Sequence, residues 1–339
     1  MLDFDQASEF RRQARAWLEL LRPAKGSPTQ VYRAAGQTIV VSDWVNCPAG
    51  YSIQETLLVR GDFRCGAQAH FGAVYVAGNC SIGKDAIVGA LCVEGETVLG
   101  LKARVRQWLM SSGLIDLRAG CQMEGPVTSR TAIRLGPGIH APALLAPEIS
   151  TRCSTGFTAG PSRGTDLLEV PIPASGRLPE FGGVRAFRED KLTPLGAETW
   201  VYDGSLQLPA PVWLRSKLVV RGTFSVPGGS LLEDDVKCGG SLRIGSSSVC
   251  KGRLDARGEL VLENGCVFSG DLEAGLTLRL SGGVRGIGLN GPVDVWSRER
   301  VLIEPDVVVR GRVRGEGGVH AAEPAVEGGL DLLLVQGNQ

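Results

Sequence analysis

The stretch LDARGELVLENGCVFSGDLEAGLTLRL, residues 254–280, decides the fold. Its apolar residues come in pairs two positions apart, and each new pair begins four positions after the previous one ends. The pairs are Leu254/Ala256, Leu260/Leu262, Cys266/Phe268, Leu272/Ala274 and Leu278/Leu280. Side chains two residues apart in a strand point to the same face, and the four-residue step leaves room for a bend. Three such units make about 18 residues, which predicts one triangular coil of a parallel β-helix with the pairs pointing inward.

Glycines mark the same period in two long parts of the chain. The first series, with gaps of 17, 17 and 18 residues, is Gly61, Gly78, Gly95 and Gly113. The second, with gaps of 18, 18 and 17 residues, is Gly222, Gly240, Gly258 and Gly275. Inward pairs also recur in the first part, at Val74/Val76, Cys80/Ile82 and Ala86/Val88. A repeat of this length indicates a solenoid, because one coil cannot bury its apolar face without stacking on its neighbours.

The two repetitive parts are copies of each other. Residues 38–63 align without gaps on residues 199–224, with nine identical positions of 26, including the Arg-Gly pairs at 60–61 and 221–222. The sequence therefore predicts an all-β protein of two tandem parallel β-helices. The predicted segments are 1–30 (N-terminal helix and lead-in), 31–138 (first solenoid), 139–196 (Pro/Gly-rich linker), 197–316 (second solenoid) and 317–339 (C-terminal tail, with an apolar patch at Leu330–Val335).

Residues 3–22 carry the one strong helical pattern. Phe10, Ala14, Trp17, Leu18 and Leu21 recur at helical spacing and form one apolar face. We expect this amphipathic helix to lie on the solenoid or to cover its first coil. Contact with a membrane surface is the alternative, because arginines at 11, 12, 15 and 22 add positive charge to the helix.

The composition narrows the function classes. There are 47 glycines and only 6% aromatic residues, as in turn-dense β-structures. The 36 basic and 36 acidic residues balance, so no overall field attracts nucleic acid. The nine cysteines include no CxxC pair, and we interpret them as reduced, buried residues rather than disulfides or a zinc site. The sequence shows no signal peptide and no apolar run of 18 residues, which predicts a cytoplasmic protein.

Left-handed hexapeptide-repeat acyltransferases also use coils of this length, but the pattern departs from their motif. Leu260, Leu272 and Leu278 stand where that motif requires a small residue. Those enzymes also depend on histidine, and the histidines here are His70, His140 and His320, one each in the first solenoid, the linker and the tail. We expect these three to lie apart, with His70 as an exposed corner residue.

The segments SIGKDAIVGALCVEGETVLG (81–100) and LRIGSSSVCKGRLDARGELVLENGCVFSGDLEAG (242–275) resemble the repeats of bactofilins, the polymer-forming cytoskeletal proteins of bacteria. The resemblance covers residues 31–138 and 197–316 and rests on a degenerate structural repeat. It implies a right-handed parallel β-helix that has no active site, stacks end to end without nucleotide and acts as a scaffold at the cell envelope. Bactofilins usually have one solenoid, whereas this chain has two and a helix that could cap one end.

We therefore expect a non-enzymatic scaffold that associates with copies of itself, with no catalytic, cofactor-binding or metal-binding residues. Protein partners at the envelope are also expected, and nucleic acid is not. One alternative is a carbohydrate- or acyl-modifying enzyme on a β-helix, for which Glu94 and Asp271 are outward-facing acids and a cleft between the solenoids would hold the ligand. A passive module that binds a partner on a flat face is the other.

Overall fold

The computed structural model describes residues 4–21, 29–34, 36–151, 191–195, 199–289 and 291–322. They form a β-solenoid of about 13 turns, with 52% of the chain in strands and 6% in a helix. Within each half, successive coils pair in parallel, and every strand belongs to one hydrogen-bonded network. This confirms the predicted β-helix. The direction of winding and the independence of the two halves as domains stay predictions.

Helix α1 spans Phe4–Leu20. The first solenoid contains strands β1 Thr29–Ala34, β2 Gln37–Ser42, β3 Val45–Cys47, β4 Ser52–Ile53, β5 Thr56–Val59, β6 Phe63–Cys65, β7 His70–Val76, β8 Cys80–Ile82, β9 Ile87–Val93, β10 Thr97–Leu99, β11 Arg104–Val105, β12 Leu109–Ser111, β13 Ile115–Leu117, β14 Gln122–Met123, β15 Val127–Ser129, β16 Ala132–Leu135 and β17 His140–Thr151.

The second solenoid contains strands β18 Leu192–Pro194, β19 Thr199–Tyr202, β20 Leu206–Gln207, β21 Trp213–Leu214, β22 Lys217–Val220, β23 Phe224–Val226, β24 Leu231–Leu232, β25 Val236–Cys238, β26 Leu242–Ile244, β27 Val249–Cys250, β28 Leu254–Ala256, β29 Leu260–Leu262, β30 Val267–Phe268, β31 Leu272–Ala274, β32 Leu278–Leu280, β33 Arg285–Gly286, β34 Val293–Ser297, β35 Val301–Ile303 and β36 Val308–Ala321.

Each coil contributes one strand segment to each of three faces. Face 1 carries β2, β5, β12 and β15 of the first solenoid and β34, β31, β28, β25, β22 and β19 of the second. Face 2 carries the ladder from β3 to β16 and the ladder from β21 to β33. Face 3 carries the ladder from β4 to β14 and the ladder from β20 to β35. The long strands β7, β9, β17 and β36 pass from one face to the next.

The inward pairs fill the bore as the sequence predicts. All five pairs between Leu254 and Leu280 are buried, as are the three pairs in the first solenoid. The glycine period has a steric cause. A Cβ on Gly95 would lie 2.7 Å from the carbonyl oxygen of Gly78, one coil earlier, and a Cβ on Gly78 would lie 2.7 Å from that of Gly61. Such distances do not occur for real Cβ atoms, so the backbone of each coil comes too close for any larger residue.

One member of the second glycine series is displaced from the ladder. The N–H of Leu276, not that of Gly275, donates to the carbonyl of Gly258 (3.1 Å), so Leu276 occupies the stacked position and is 43% exposed. Gly275 instead lies over the backbone of Arg257, just as Gly239 lies over that of Arg221. The regularly spaced glycines of the second series therefore belong to two neighbouring backbone ladders: the first three stack on one another, and Gly275 lies in the next ladder.

The two solenoids meet at their C-terminal ends. Strand β17 of the first pairs antiparallel with β36 of the second, with Leu144 opposite Val313 on face 1 and Ile149 opposite Val309 on face 2. Face 3 of the first half continues into face 3 of the second through His140, which lies opposite His320. The three sheets thus run through the junction, and both N-terminal ends lie at the outside of one rod.

The boundaries of the first solenoid and the linker differ from those predicted. The sequence predicts an end at residue 138, but β17 continues to Thr151 and forms the last coil. Pro142 and Pro147 hide this strand in the sequence, and both lie at register shifts of the β17–β36 ladder, where a missing N–H costs least. The second solenoid likewise extends to Ala321, past the predicted 316. Residues 152–190, 196–198 and 323–339, with the apolar patch at 330–335, lie outside the described residues.

Helix α1 lies along face 1 of the first solenoid. This confirms the expectation that the helix lies on the solenoid. Its apolar side packs on outward-facing side chains of five successive coils: Ile39, Val41, Leu58, Tyr75, Ala90, Cys92, Trp108 and Met110. The ring of Phe10 lies 5.3 Å from that of Trp108, and Arg60 donates to the carbonyl of Leu18 (3.2 Å), so the helix runs from the fifth coil back to the second. A helix of 17 residues is about 25 Å long, enough for the roughly 19 Å between five coils.

Candidate functional site

A cluster of hydrogen-bonded side chains around Glu94 fixes α1 to face 1. The carboxylate of Glu94 accepts from Arg11 Nε (2.8 Å), from Arg15 Nε (2.9 Å) and from the Tyr75 hydroxyl (3.0 Å). Arg11 also donates to Ser112 Oγ (2.7 Å). Partial burial opposes ionisation of Glu94, but these donors outweigh it and lower the pKa of the carboxyl to about 2. Glu94 therefore stays ionised, and it serves to hold the helix.

This cluster predicts acid-sensitive stability. The pKa of Glu94 falls from 4.5 to about 2 on folding. The ionised carboxylate therefore contributes to the free energy of unfolding above pH 4.5, and this contribution is lost as the pH falls toward 2. We expect Glu94→Gln to lower the free energy of unfolding by about 1–2 kcal/mol at neutral pH, since hydrogen bonds to a charged group weaken with partial exposure. Melting temperatures of the parent and the variant should converge over that pH range. A difference that stays constant down to pH 2 would contradict this role.

Face 1 of the second solenoid differs from that of the first, and the described residues place no helix on it. Many of its outward positions are charged and form ion pairs between successive coils: Lys217 with Asp235 (3.4 Å), Lys237 with Asp255 (2.9 Å) and Arg314 with Asp294 (3.2 Å). The equivalent column of the first solenoid is apolar and needs a cover to leave water. Strands with three consecutive apolar residues, LLV at 57–59, VYV at 74–76 and LCV at 91–93, carry this signal in the sequence.

The expectation that the three histidines lie apart is wrong for two of them. His140 and His320 face each other across the junction with ring centroids 4.6 Å apart. Burial, together with the neighbouring His320, lowers the pKa of His140. His70 lies on the same face but four strand spacings away, about 19 Å, so it takes no part in the pair. Among the described residues no group of three or more His, Cys, Asp or Glu side chains could hold a metal ion.

A groove of about 530 Å³ follows the junction at the corner between faces 1 and 2. It is the place where a ligand cleft between the solenoids is expected for an enzyme. Among the described residues its lining is mainly apolar, with Leu145, Pro147, Ile287 and Pro292, and Arg310 is the one charged side chain that they contribute. The hydroxyl of Ser129 donates to a backbone carbonyl (Gly113, 2.8 Å). The described part of the chain thus places no carboxylate in the groove.

The second predicted acid has a structural partner as well. Asp271 Oδ1 accepts from the backbone N–H of Asp294 (2.8 Å), which joins two coils of face 1. It lies in the other solenoid from Glu94. The two outward-facing acids do not form a catalytic pair.

The eight cysteines of the described residues are free thiols, and seven of them are buried. Burial raises the pKa of Cys92 to about 12 and that of Cys266 to about 11. Such thiols stay protonated at neutral pH and are weak nucleophiles. They fill space in the bore or under α1, as interpreted from the sequence.

At the two outer ends of the rod, backbone groups at the strand edges lack hydrogen-bond partners among the described residues. At the first end, β1 pairs with β2 on face 1, but within the described ranges nothing pairs with the outer edges of β3 and β4. Backbone groups of Val45 and Cys47 form hydrogen bonds with the second coil. The N–H and C=O of Asn46, which lies between them, therefore point away from the second coil, toward the end of the rod. Trp44, at a corner of this end, is 63% exposed, and Tyr51, at the next corner, is 43% exposed. Open edges of this kind can pair with another chain.

The second outer end has the same plan. Strand β18 pairs with β19 on face 1, while the outer edges of β20 and β21 have no partner strand in the described part of the chain. The backbone of Gln207 points outward there, because Leu206 and Leu208 both bond to the next coil. The duplication thus produces two similar ends, and the C-terminal ends are already used in the junction.

Comparison with protein-family models, with curated proteins and with solved structures found no match. No helix of the described residues is both long enough and apolar enough to cross a membrane.

Proposed function

We propose that this protein is a non-enzymatic scaffold of bactofilin-like character, which associates with copies of itself through the outer ends of its rod. The observation that carries the proposal is the pair of open ends, at each of which the outer edges of three strands have no partner among the described residues. A solenoid that acts alone is usually closed by a capping element at its ends, because open edges and an open bore favour association.

Three further observations support the proposal. The outward-facing acids named as candidates for catalysis are held by structural hydrogen bonds, and the thiols that could act as nucleophiles are buried and protonated. Helix α1 lies on the side of the rod, and the described residues place no element over the end of the bore. The β17–β36 junction is an example, within one chain, of two solenoid ends that join by antiparallel pairing.

Sedimentation velocity of the purified full chain over a wide concentration range tests the proposal. We expect a mass that rises with concentration, and rod-shaped particles longer than one chain in negative-stain electron microscopy. Strictly monomeric particles at the highest concentration would overturn it. Arg60→Ala, which weakens the contact at the end of α1 and leaves the strand edges intact, is a control that should still associate.

A further inference from the structure

The two outer ends differ in the strand that forms their edge on face 1. At the first end this strand is β1, with six residues, and at the second end it is β18, with three. The length of an exposed edge determines how many hydrogen bonds a partner strand can make. The two ends are therefore not equivalent as pairing surfaces.

The hydrogen-bond register shows which groups of β1 point outward. The backbone carbonyl of Ser42 accepts a hydrogen bond from the N–H of Arg60 in the second coil. The backbone groups of Ser42 and Val40 therefore point away from β1. Those of the alternate residues Val41 and Ile39 point toward β1. Val31 lies opposite Val40 in the antiparallel pair, and Arg33 lies opposite Thr38. The N–H and C=O groups of Val31 and Arg33 are therefore directed away from β2, and the described residues place no strand against them.

The same reasoning gives a different result for β18. Asp203 donates to the carbonyl of Lys191, and Leu195 donates to that of Thr199, so the alternate residues Leu192 and Pro194 point outward. Proline has no N–H, and its presence on an edge is a common means of preventing edge-to-edge pairing. Strand β18 thus offers one outward N–H, at Leu192.

We infer that β1 is the pairing edge and that its partner is β1 of a second copy of this chain, in an antiparallel, two-fold arrangement. This inference rests on the proposed function and specifies the end, the strand and the symmetry. An antiparallel strand is complementary to itself: a register centred on Val31 places Val31 opposite its own copy and Arg33 opposite Thr29, so no like charges face each other. Face 1 would then continue from one copy into the next.

The side chains at this end fit the arrangement. Val31 is 66% exposed beside the open bore. Two β1 strands would hold the edges of β3 and β4 about 14 Å from those of the second copy, at three strand spacings of roughly 4.8 Å. The exposed rings of Trp44 and Tyr51 from both copies would lie in that space. A two-fold contact at one end closes on itself, so the expected product is a dimer of rods rather than an unlimited filament.

The first test removes the outward donor. In sedimentation experiments we expect Val31→Pro to raise the dissociation constant of the dimer at least tenfold, because both central N–H groups are lost while the pairing of β1 with β2 is kept. Leu192→Pro is the matched control at the other end and should leave the dissociation constant unchanged. A parent chain that associates but is weakened only by Leu192→Pro, or by neither variant, would overturn the inference and leave the proposed function standing. A parent chain that stays monomeric would overturn both.

The second test does not depend on how well the proline variant folds. Val31→Lys and Val31→Glu each place like charges opposite each other at the two-fold axis, and each variant alone should lose association. A mixture of the two should regain it, because residue 31 then faces its opposite charge. Association of either variant alone at the parent level, or failure of the mixture to associate, would contradict the register centred on Val31.

Discussion

Replacement of Leu262 by aspartate is expected to unfold the second solenoid. The Leu262 side chain is fully buried in the bore, stacked between Ile244 and Leu280 of the neighbouring coils. The substitution removes a buried apolar side chain and leaves a carboxylate without a partner, which together cost at least about 4 kcal/mol of the free energy of unfolding. Thermal melting followed by circular dichroism, with hydrogen exchange to locate the loss, measures the effect.

Val261→Asp is the matched control for this prediction. Val261 precedes Leu262 in β29 but faces outward, between Arg243 and Arg279 of the adjacent coils. A carboxylate there can pair with either guanidinium, so we expect a change within about 1 kcal/mol. If both variants melt at the same temperature, the assignment of inward and outward positions is wrong.

Replacement of Gly125 by alanine is expected to have the next largest effect. A Cβ at this position would overlap the carbonyl oxygen of Gln107 in the preceding coil, which is a backbone atom and cannot rotate away. Relief requires the two coils to separate locally, next to the coil that carries Trp108 under α1. We expect the free energy of unfolding to fall by about 3 kcal/mol or more, at the upper end of overpacking effects.

Gly282→Ala separates this steric effect from the general effect of removing a glycine. Both substitutions restrict the unfolded chain equally, but the nearest atom to a Cβ on Gly282 is the carbonyl oxygen of Pro305 at 3.3 Å. The control should change stability by less than about 1 kcal/mol. Equal melting temperatures for the two variants would show that the coils at Gly125 can separate at little cost.

The repeat within each half could be predicted because it is a local pattern. Strand alternation and the close approach of stacked backbones act on every coil, so they leave inward pairs such as Leu260/Leu262 and a glycine every 17 or 18 residues. The helix is local in the same sense, since its apolar face follows from helical spacing alone. Its position on face 1 had a weaker signal, the run of face-1 strands that are apolar at three consecutive positions. In the second copy only residues 200–202 and 218–220 of face 1 have this form, and the next three coils carry Lys237, Asp255 and Glu273 at the middle position.

The candidate pairing edge could not be read from the sequence. TQVYRA at 29–34 looks like any short strand, and its outward donors become apparent only when the register with β2 and the second coil is known. The same holds for the junction, where Pro142 and Pro147 interrupt the strand pattern because they lie at bulges between two antiparallel strands.

By itself the sequence determined a duplicated β-helix with its bore, its corners and one amphipathic helix, because each of these depends on residues within one or two coils. The tertiary structure alone decided that the two halves join at their C-terminal ends, that His140 meets His320, and that β1 and β18 form the outer edges. Those features pair residues far apart along the chain, and pairing at a distance leaves no periodic trace in the order of amino acids.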